Sequence, residues 1–571
     1  MRSYAWFSLV CQSLLVQYSV AQLVDVPSSE NFLRRSGCSV AVLGDYVYMD
    51  GGEIAQVVDG EKPPGNRPSN SINTTLSIDI SKSWSASSVK INSIPKPALV
   101  LVSQAIWVDN SSSSFYIWGG HSPYGATTNN ITKTSQWKFT ADGRGAGTWT
   151  KEIPSNPRVL ETFTFSENGA VATAGDTGFY VGGVASGWTE QRAATQPVPG
   201  LVSFNMTTKT WRNDSTTGIV SAYGTLAAGV AEFVPRFGPN GLVFVLGGAT
   251  YTLAPNTRPP DGMRDFSVVD FFDPVTRVWY TQKTTGTAPT PRQGFCSVGI
   301  ASSNGTYEIF IFGGTDQLTK QFYEDVYVLT IPGFVWYKVQ APSGGGPRKN
   351  HQCVVIGGRK MLSVGGTDDT VAWPAVWTRQ DPFPNGLGIL DLTELRWTSD
   401  YDATHQVYDS PQVVRDGYAK GEAVDWTSPE VQRLFATETS GTVPGPQGGD
   451  NTPTPSASST SSTPVGAIAG GVVGGVLGLA LVAAAVFFFL KKRRGTQADS
   501  DIGTPYVHNG GPVEAEKGYV PVSTASPGWK VPPTYHEMST HAMASELHSQ
   551  PASRPVSTMA HPAELDGGTA R

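Results

Sequence analysis

Short apolar segments that end in two glycines recur six times along the chain, as YVYMDGG, FYIWGG, FYVGG, VFVLGG, IFIFGG and MLSVGG. The glycine pairs occupy positions 51/52, 119/120, 182/183, 247/248, 313/314 and 365/366. After each pair come a second apolar stretch and then a tryptophan, at Trp84, Trp149, Trp211, Trp279, Trp336 and Trp397. Such repeats predict four short strands each: one before the glycine strand, the glycine strand, one before the tryptophan, and the one that carries it.

The six repeats resemble the kelch repeats of β-propeller proteins over residues 37 to about 401. Glycine adopts positive φ without steric cost, and one tryptophan per repeat would wedge a large apolar face against the next blade. Because a blade cannot bury both faces alone, radial packing is expected. We therefore predict an all-β, six-bladed kelch propeller. A degenerate seventh blade is the alternative, since residues 22–35 and 407–436 could add closing strands or pack outside the ring.

Two segments, one near each end of the chain, predict how the protein is placed in a membrane. Arg2, an apolar stretch and small residues at 19–21 predict a secretory signal peptide cut before Gln22. An uncharged apolar run is followed directly by the basic KKRR sequence, which predicts a membrane span with a cytoplasmic C-terminus. The predicted organisation is a signal peptide (1–21), a kelch ectodomain (22–438), a Ser/Thr/Pro-rich stalk (439–464), a transmembrane helix (465–490) and a disordered cytoplasmic tail (491–571).

This organisation predicts a single-pass type I plasma-membrane glycoprotein with an extracellular propeller. Six N-glycosylation sequons precede the span, at Asn73, Asn110, Asn130, Asn205, Asn213 and Asn304. The net charge of −6 includes no basic stripe, which argues against nucleic acid as a partner. The architecture resembles the cell-surface kelch proteins of filamentous fungi, and it implies an extracellular cell-wall glycan or surface protein as the ligand.

The ligand face is expected where the long loops between second and third strands meet the connections between blades. Seven charged or polar residues are candidates there: Arg158, Arg292 and Arg348 in the connections, and Glu53, His121, Asp316 and Asp368 after glycine pairs. An arginine-bearing mouth suits a carboxylate, a sugar or a peptide. The alternative is structural, because such arginines also fix the neighbouring blade and residues after the glycines also cap turns.

Catalysis is the weaker hypothesis. Among enzymes of this fold, the best known resemble galactose oxidase, whose copper site needs tyrosine and histidine ligands and a cysteine coupled to a tyrosine. The ectodomain has three histidines, His121, His351 and His405, and none adjoins a tyrosine. We therefore predict a binding protein without catalytic residues, metal or cofactor, and keep a carbohydrate oxidase as the alternative.

The predicted mature ectodomain contains three cysteines, Cys38, Cys296 and Cys353, each assigned to the first strand of its blade. An odd count leaves at least one cysteine unpaired. Ring closure would make the first and sixth blades neighbours, so a Cys38–Cys353 disulfide is one candidate and a Cys296–Cys353 disulfide is another. All three could instead be small buried side chains.

The segments after the ectodomain suggest two further contacts. Glycines recur every four residues in the predicted span, at Gly466, Gly470, Gly474 and Gly478, which favours a homodimer as strongly as it favours an ordinary glycine-rich span. In the tail, Pro532, Pro533 and Tyr535 form a PPxY motif of the kind that WW domains bind. That resemblance implies a WW-domain ubiquitin ligase that modifies Lys517 or Lys530.

Overall fold

The computed structural model describes residues 23–436 apart from 66–67, 125–135, 191–192, 255–259, 340–343 and 422, all within the first of two compact units, Met1–Pro446. The predicted signal peptide, stalk, membrane span with its glycine stripe, tail and WW-domain motif lie outside the described residues, as does Asn130. Within the described part of the chain, no helix combines the length and apolarity that crossing a bilayer requires.

The described residues form an all-β domain, in which each of six repeats supplies four consecutive antiparallel strands. Sheets 1 to 3 contain β1 (Ser39–Leu43), β2 (Tyr46–Asp50), β3 (Thr74–Asp79) and β4 (Ile91–Pro95); β5 (Ala105–Asp109), β6 (Ser114–Trp118), β7 (Gln136–Ala141) and β8 (Gly147–Glu152); and β9 (Ala170–Ala174), β10 (Thr177–Val181), β11 (Leu201–Asn205) and β12 (Thr210–Asp214). Sheets 4 to 6 contain β13 (Val230–Val234), β14 (Leu242–Leu246), β15 (Val268–Phe272) and β16 (Trp279–Lys283); β17 (Cys296–Ala301), β18 (Tyr307–Phe312), β19 (Val326–Ile331) and β20 (Val335–Val339); and β21 (Gln352–Ile356), β22 (Lys360–Val364), β23 (Leu387–Asp391) and β24 (Arg396–Thr398).

Shorter strands and helices lie in the connections between these strands and sheets. Antiparallel ladders join Phe32–Ser36 with Glu53–Gln56 and Asn70–Ser71, Trp84–Ser85 with Asp400–Tyr401, Val184–Ala185 with Gln196–Pro197, Ala249–Thr250 with Gly262–Met263, and Thr315–Asp316 with Gln321–Phe322. Thr285–Gly286 adds a parallel strand beside β20. The helices are α1 (Pro157–Glu161), α2 (Ala375–Thr378), α3 (Gln412–Ala419) and α4 (Pro429–Phe435), with 3-10 turns at Asn110–Ser112 and Pro384–Gly386.

The sheets succeed one another in a cycle. The first strand of each sheet contacts the first strand of the next, and β21 of sheet 6 contacts β1 of sheet 1. Six apolar clusters fill the gaps between neighbouring sheets, including the gap between the sixth and the first. Successive side chains of a strand point to opposite faces: Val47 and Met49 pack toward sheet 6, whereas Tyr48 packs toward sheet 2. Each sheet therefore buries both of its faces.

The paired glycines join each sheet to the next one. All twelve have positive φ, as predicted, and each pair follows a second strand. The second glycine's N–H donates to a carbonyl just before the next sheet, in the pairs Gly52–Leu101, Gly120–Ser166, Gly183–Leu226, Gly248–Arg292, Gly314–Arg348 and Gly366–Arg35. A Cβ on Gly182 would lie 2.1 Å from the Leu226 oxygen, so the first glycine permits this close approach. The bond from Gly366 to Arg35 links the last sheet to the first.

A second set of six equivalent residues precedes the first strands, and all six have left-handed backbone: Gly37, Ser103, Asn168, Ala228, Gly294 and Asn350. Five of their N–H groups donate to the carbonyl of the preceding member, in the pairs Gly37–Asn350, Ser103–Gly37, Ala228–Asn168, Gly294–Ala228 and Asn350–Gly294. We call these six residues the inner ring. Four of them are not glycine, so the repeat imposes this conformation on residues that adopt it at a cost of roughly 1–2 kcal/mol each.

The recurring tryptophans seal the gaps between sheets, with two differences from the prediction. Each packs toward the preceding sheet rather than the next: Trp149 donates to Thr75 Oγ1 at 3.1 Å, and Trp336 donates to the Phe266 carbonyl at 3.0 Å. Trp84 does not lie on a fourth strand, because β4 begins after it. It lies instead in the short ladder with Asp400–Tyr401, its ring 5.0 Å from that of Tyr401. Trp84 thus ties sheet 1 to the chain beyond sheet 6.

The segments that could have supplied a seventh blade pack outside the ring. Phe32–Ser36 pairs with Glu53–Gln56, and the chain after β24 forms α3 and α4. Val431 and Phe435 of α4 insert into the cluster between sheets 4 and 5. Among the described residues there is no seventh four-stranded sheet.

Candidate binding face and central channel

The loops that were predicted from the sequence to form the ligand face lie together at one end of the sheets. The second strands end there at the glycine pairs, and the third strands begin there, so the loops between them emerge on this side with the connections between sheets. Short bridges tie the two sets together, for example between Val102 and His121 and between Glu167 and Val184. We call this end, marked by the six glycine pairs, the glycine face.

Two of the predicted arginines are buried beneath this face. The Arg292 guanidinium donates to Asp325 Oδ1 at 2.6 Å and lies 3.9 Å from the centre of the Tyr323 ring. Arg348 donates to Asp381 Oδ1 at 3.0 Å and lies 4.2 Å from the Phe383 ring centre. Neither side chain is exposed, which agrees with the structural alternative that such arginines fix neighbouring blades.

Three other candidates form hydrogen bonds or ion pairs within the loops. Buried Glu53 accepts a hydrogen bond from Ser69 Oγ at 2.7 Å. Asp316 accepts from the backbone N–H of Leu318 at 2.9 Å and so caps its turn. Asp368 forms an ion pair with Arg379 at 2.9 Å.

The last two candidates lie closer to solvent. His121 pairs with Glu167, with 3.2 Å between Nε2 and the carboxylate. Arg158 is exposed on α1.

The sequence analysis missed two arginines of the same kind. Arg34 and Arg35 are buried in the strand Phe32–Ser36, and Arg34 lies 3.7 Å from Asp381, the aspartate that also holds Arg348. Burial lowers the pKa of Arg34, although the Asp381 carboxylate opposes that shift. A signal for Arg35 was present, because it precedes its inner-ring residue by two positions, as Arg292 and Arg348 do.

Large apolar side chains are exposed on the glycine face, and they were not predicted from the sequence. Five of them are Tyr124 (46% exposed), Leu253 (50%), Leu318 (45%) and Trp373 (39%), on the loops between second and third strands, and Tyr223 (46%), in the connection from sheet 3 to sheet 4. Their positions on five loops of a rigid scaffold make a discontinuous apolar surface.

Five of the six predicted glycosylation sites fall within the described residues, and all five are at least partly accessible to solvent. Asn73, Asn110, Asn213 and Asn304 are exposed, and Asn205 is half-buried. Asn110 and Asn304 lie in turns between first and second strands, which is the end of the sheets opposite the glycine face.

A channel runs between the first strands of the six sheets, with the inner ring at its mouth and a volume of about 470 Å³. Glu232 is the one acidic side chain among the described residues that line it. Its Oε1 accepts a hydrogen bond from Ser297 Oγ at 2.6 Å. Burial raises the pKa of Glu232 to about 7, although the hydrogen bonds from Ser297 and from the Gly299 backbone oppose the shift.

The cysteines lie at the channel wall and behind it. Cys296 and Cys353 form a disulfide between β17 and β21, with 5.5 Å between their Cα atoms, whereas Cys38 is free and buried. The Cys38–Cys353 pairing is therefore wrong. Cys38 lies just before β1 and packs between sheets 6 and 1, while the bonded pair packs between sheets 5 and 6, so sheet 6 separates them. The other predicted pairing, Cys296–Cys353, is the one that forms.

His351 lies beside this disulfide and is fully buried. Burial, and secondarily the charge of Arg348, lowers the pKa of His351 to about 3, although the backbone of Phe312 favours the protonated ring. The imidazole is therefore neutral.

Antiparallel four-stranded sheets arranged in a cycle around a channel define the domain as a β-propeller. The KLHDC2/KLHL20/DRC7 Kelch-repeats domain family matches residues 240–411. By these residues and by the relatives below, the chain is similar to kelch-repeat proteins.

Two curated relatives illustrate the similarity. A kelch repeat-containing protein of Arthroderma benhamiae is 23% identical over 453 residues, which cover 71% of this chain and 63% of that protein. Kelch domain-containing protein 3 of Homo sapiens and of Bos taurus is 32% identical over 97 residues, or 17% of this chain and 24% of that protein. The matches thus span less than two thirds of these relatives.

Proposed function

We propose that this chain is a six-bladed, protein-binding kelch propeller that holds its partner on the glycine face. The observation that carries the proposal is the set of five large apolar side chains exposed there, on loops anchored to the ring by the glycine pairs. Aromatic and large aliphatic groups supply much of the energy of protein interfaces, and a rigid scaffold lowers the entropy cost of presenting them.

The buried arginines support this proposal indirectly. Because Arg292 and Arg348 are committed to aspartates and aromatic rings beneath the surface, they give the loops a fixed position rather than a charge for the ligand. A partner that complements the face is then apolar at its centre, as a folded protein surface can be. A cell-wall glycan is the second form of ligand that we predicted from the sequence, and the exposed Trp373 ring offers it a stacking surface.

The location of the propeller is also a proposal, and it rests on the sequence. The signal peptide, the apolar span with its basic flank and the one-sided sequons support a type I plasma-membrane glycoprotein. In this arrangement the partner is extracellular, and Tyr535 of the PPxY motif recruits a WW-domain ubiquitin ligase in the cytosol. The glycine stripe, including Gly470 and Gly474, would pair two spans.

Site-specific photo-crosslinking in intact cells tests the binding face. A crosslinker at position 318 or 373 of the full-length chain is expected to capture the same protein. A crosslinker at position 275 is the matched control, because Val275 is also apolar and is more exposed than Leu318 or Trp373, but it lies in the turn between β15 and β16, at the opposite end of sheet 4. Equal capture from all three positions, or from none, would refute the proposed face.

Further measurements test the other elements of the proposal separately. Saturable binding on a glycan array that Trp373→Ala abolishes would replace the protein partner with a glycan, and bound copper with peroxide production would favour the oxidase. A decrease in mass after glycosidase treatment and labelling of the chain at the cell surface test the placement in the membrane.

Unchanged turnover of the Tyr535→Ala variant would refute the WW-domain partner. Unchanged crosslinking between copies of the Gly470→Ile and Gly474→Ile variants would refute the dimer.

A further inference from the structure

Cys296, His351 and Cys353 form a compact group of soft ligands on the wall of the channel. One ring nitrogen of His351 and the two sulfur atoms all lie within 4.8 Å of one another. Among the described residues, this is the one group of three or more Cys, His, Asp or Glu side chains close enough to share an ion. All three residues are among those that line the channel.

The environment of His351 is unusual for a buried histidine. Neither ring nitrogen has a hydrogen-bond partner of normal geometry among the described residues. The ring is held against Phe312, with 5.1 Å between ring centres, and a Cβ on Gly313 would lie only 2.9 Å from Cε1. A buried polar group without a partner destabilises the fold, so a metal ion that accepts the imidazole lone pair would remove an existing energetic cost.

We propose that reduction of the Cys296–Cys353 disulfide converts this group into a zinc site with the ligands Cys296 Sγ, Cys353 Sγ and a ring nitrogen of His351. A dithiol reductant transfers two electrons and two protons, so the disulfide becomes two thiols and the reductant becomes a cyclic disulfide. Zinc binding then releases both thiol protons to solvent. In the reverse direction the ion leaves, the two sulfurs take up two protons, and a cyclic disulfide accepts the two electrons and two protons as the Cys296–Cys353 bond re-forms.

The donor set and the charges favour zinc over harder ions. Two thiolates and one imidazole are established zinc ligands, and a Cys₂His set leaves a fourth tetrahedral position for water or another ligand. Two thiolates neutralise the 2+ charge, which suits a buried site. The nearby cation, Arg348, is paired with Asp381.

Cobalt titration of the purified full-length chain tests the site, because cobalt(II) takes the place of zinc and gives a thiolate charge-transfer band that histidine or carboxylate sites lack. After reduction with a phosphine we expect one equivalent of cobalt with this band, and displacement by one equivalent of zinc. Before reduction the band should be absent. A reduced chain without the band, or an oxidised chain with it, overturns the proposal.

Three variants assign the ligands. Cys296→Ala should abolish the charge-transfer band, and His351→Phe should weaken zinc binding on the order of tenfold or more. Cys38→Ala is the control and should bind zinc as the parent does, because sheet 6 separates Cys38 from the group. Unchanged affinity in His351→Phe, or loss of binding in Cys38→Ala, contradicts the assignment.

A measurement on the reduced parent chain needs no substitution. Zinc should slow the alkylation of Cys296 and Cys353 in the native protein, and mass spectrometry of peptides measures both rates. Equal rates with and without zinc would exclude the two sulfurs as ligands even if every variant failed to fold.

Discussion

The Lys96 ammonium lies 2.6 Å from an oxygen of Asp50, and both side chains are completely buried between sheets 1 and 2. The pair is well supplied with partners. Thr75 Oγ1 donates to the other Asp50 oxygen at 2.7 Å, Gln104 Nε2 donates to the carboxylate at 3.2 Å, and Lys96 lies 5.1 Å from the centre of the Trp149 ring. These residues come from both sheets, so the network joins two repeats through charge as well as through apolar packing.

Removing one member of this pair should destabilise the propeller strongly. Lys96→Met leaves the Asp50 carboxylate buried without its cation, so we expect a loss of about 3–5 kcal/mol in the free energy of unfolding. Chemical denaturation followed by tryptophan fluorescence measures it. Lys82→Met is the control and should change stability little, because the Lys82–Asp79 pair is largely exposed. The double variant Asp50→Leu/Lys96→Met should recover part of the loss, because it removes both charges together. A loss in the double variant equal to the sum of the losses in Asp50→Leu and Lys96→Met would show that the two side chains are not coupled.

A methyl group on a paired glycine should cost more than its backbone conformation explains. Gly182 and Gly175 both have positive φ, but a Cβ on Gly182 would meet the Leu226 oxygen, whereas a Cβ on Gly175 has no atom within 4 Å. We expect Gly175→Ala to lose about 1 kcal/mol from left-handed strain and Gly182→Ala roughly 3 kcal/mol or more. Denaturation midpoints of the two variants measure both losses. Equal losses would show that the close approach to the Leu226 oxygen is not the reason for glycine at position 182.

The sequence was sufficient for the fold because the repeat is a local pattern. Positive φ at the glycines and the strand order within each unit follow from residues adjacent in the chain. The position of Trp84 could not be predicted in this way, since its partner strand Asp400–Tyr401 is more than 300 residues away. The direction in which the tryptophans pack depends on which face of each strand turns toward the preceding sheet, and spacing alone does not fix that.

The candidate site was harder to predict for a related reason. Arg292 and Arg348 are polar residues in loops, and only the aspartates and rings that surround them show that they are buried. The cysteine pairing depended on which side of sheet 6 each sulfur occupies, and the sequence predicted only that the three cysteines belong to neighbouring sheets. Leu318 and Trp373 looked like ordinary loop residues until their exposure on one face was known.

The disulfide between sheets 5 and 6 should contribute substantially to stability. It closes a segment with a sequence separation of 57, for which chain entropy gives about 4 kcal/mol. We expect Cys296→Ala/Cys353→Ala to lose stability of this order, measured by denaturation without reductant. Alkylation of the unfolded, unreduced chain should label Cys38 but neither Cys296 nor Cys353. Labelling of all three would show that the disulfide is absent and that the expected loss has no basis.

Glu232 should make the stability of the propeller depend on pH near neutrality. The pKa of its carboxyl is raised to about 7 by burial in the channel wall, so between the ordinary value of 4.5 and 7 the folded protein holds a proton that the unfolded chain has released. Stability from this group is therefore complete below pH 4.5, falls as the pH rises through that window, and is lost above 7.

Glu232→Gln removes this titration while keeping an oxygen that can accept the hydrogen bond from Ser297. The variant and the parent should be nearly equal in stability at pH 4.5. At pH 8 the variant should be more stable by on the order of 2 kcal/mol, because the parent then buries a charge. Ser297→Ala should extend the window to higher pH, since the Ser297 hydroxyl favours the ionised carboxyl. Denaturation midpoints measured from pH 4.5 to 8 test this prediction, and parallel curves for the parent and Glu232→Gln would show that folding does not raise the pKa of Glu232.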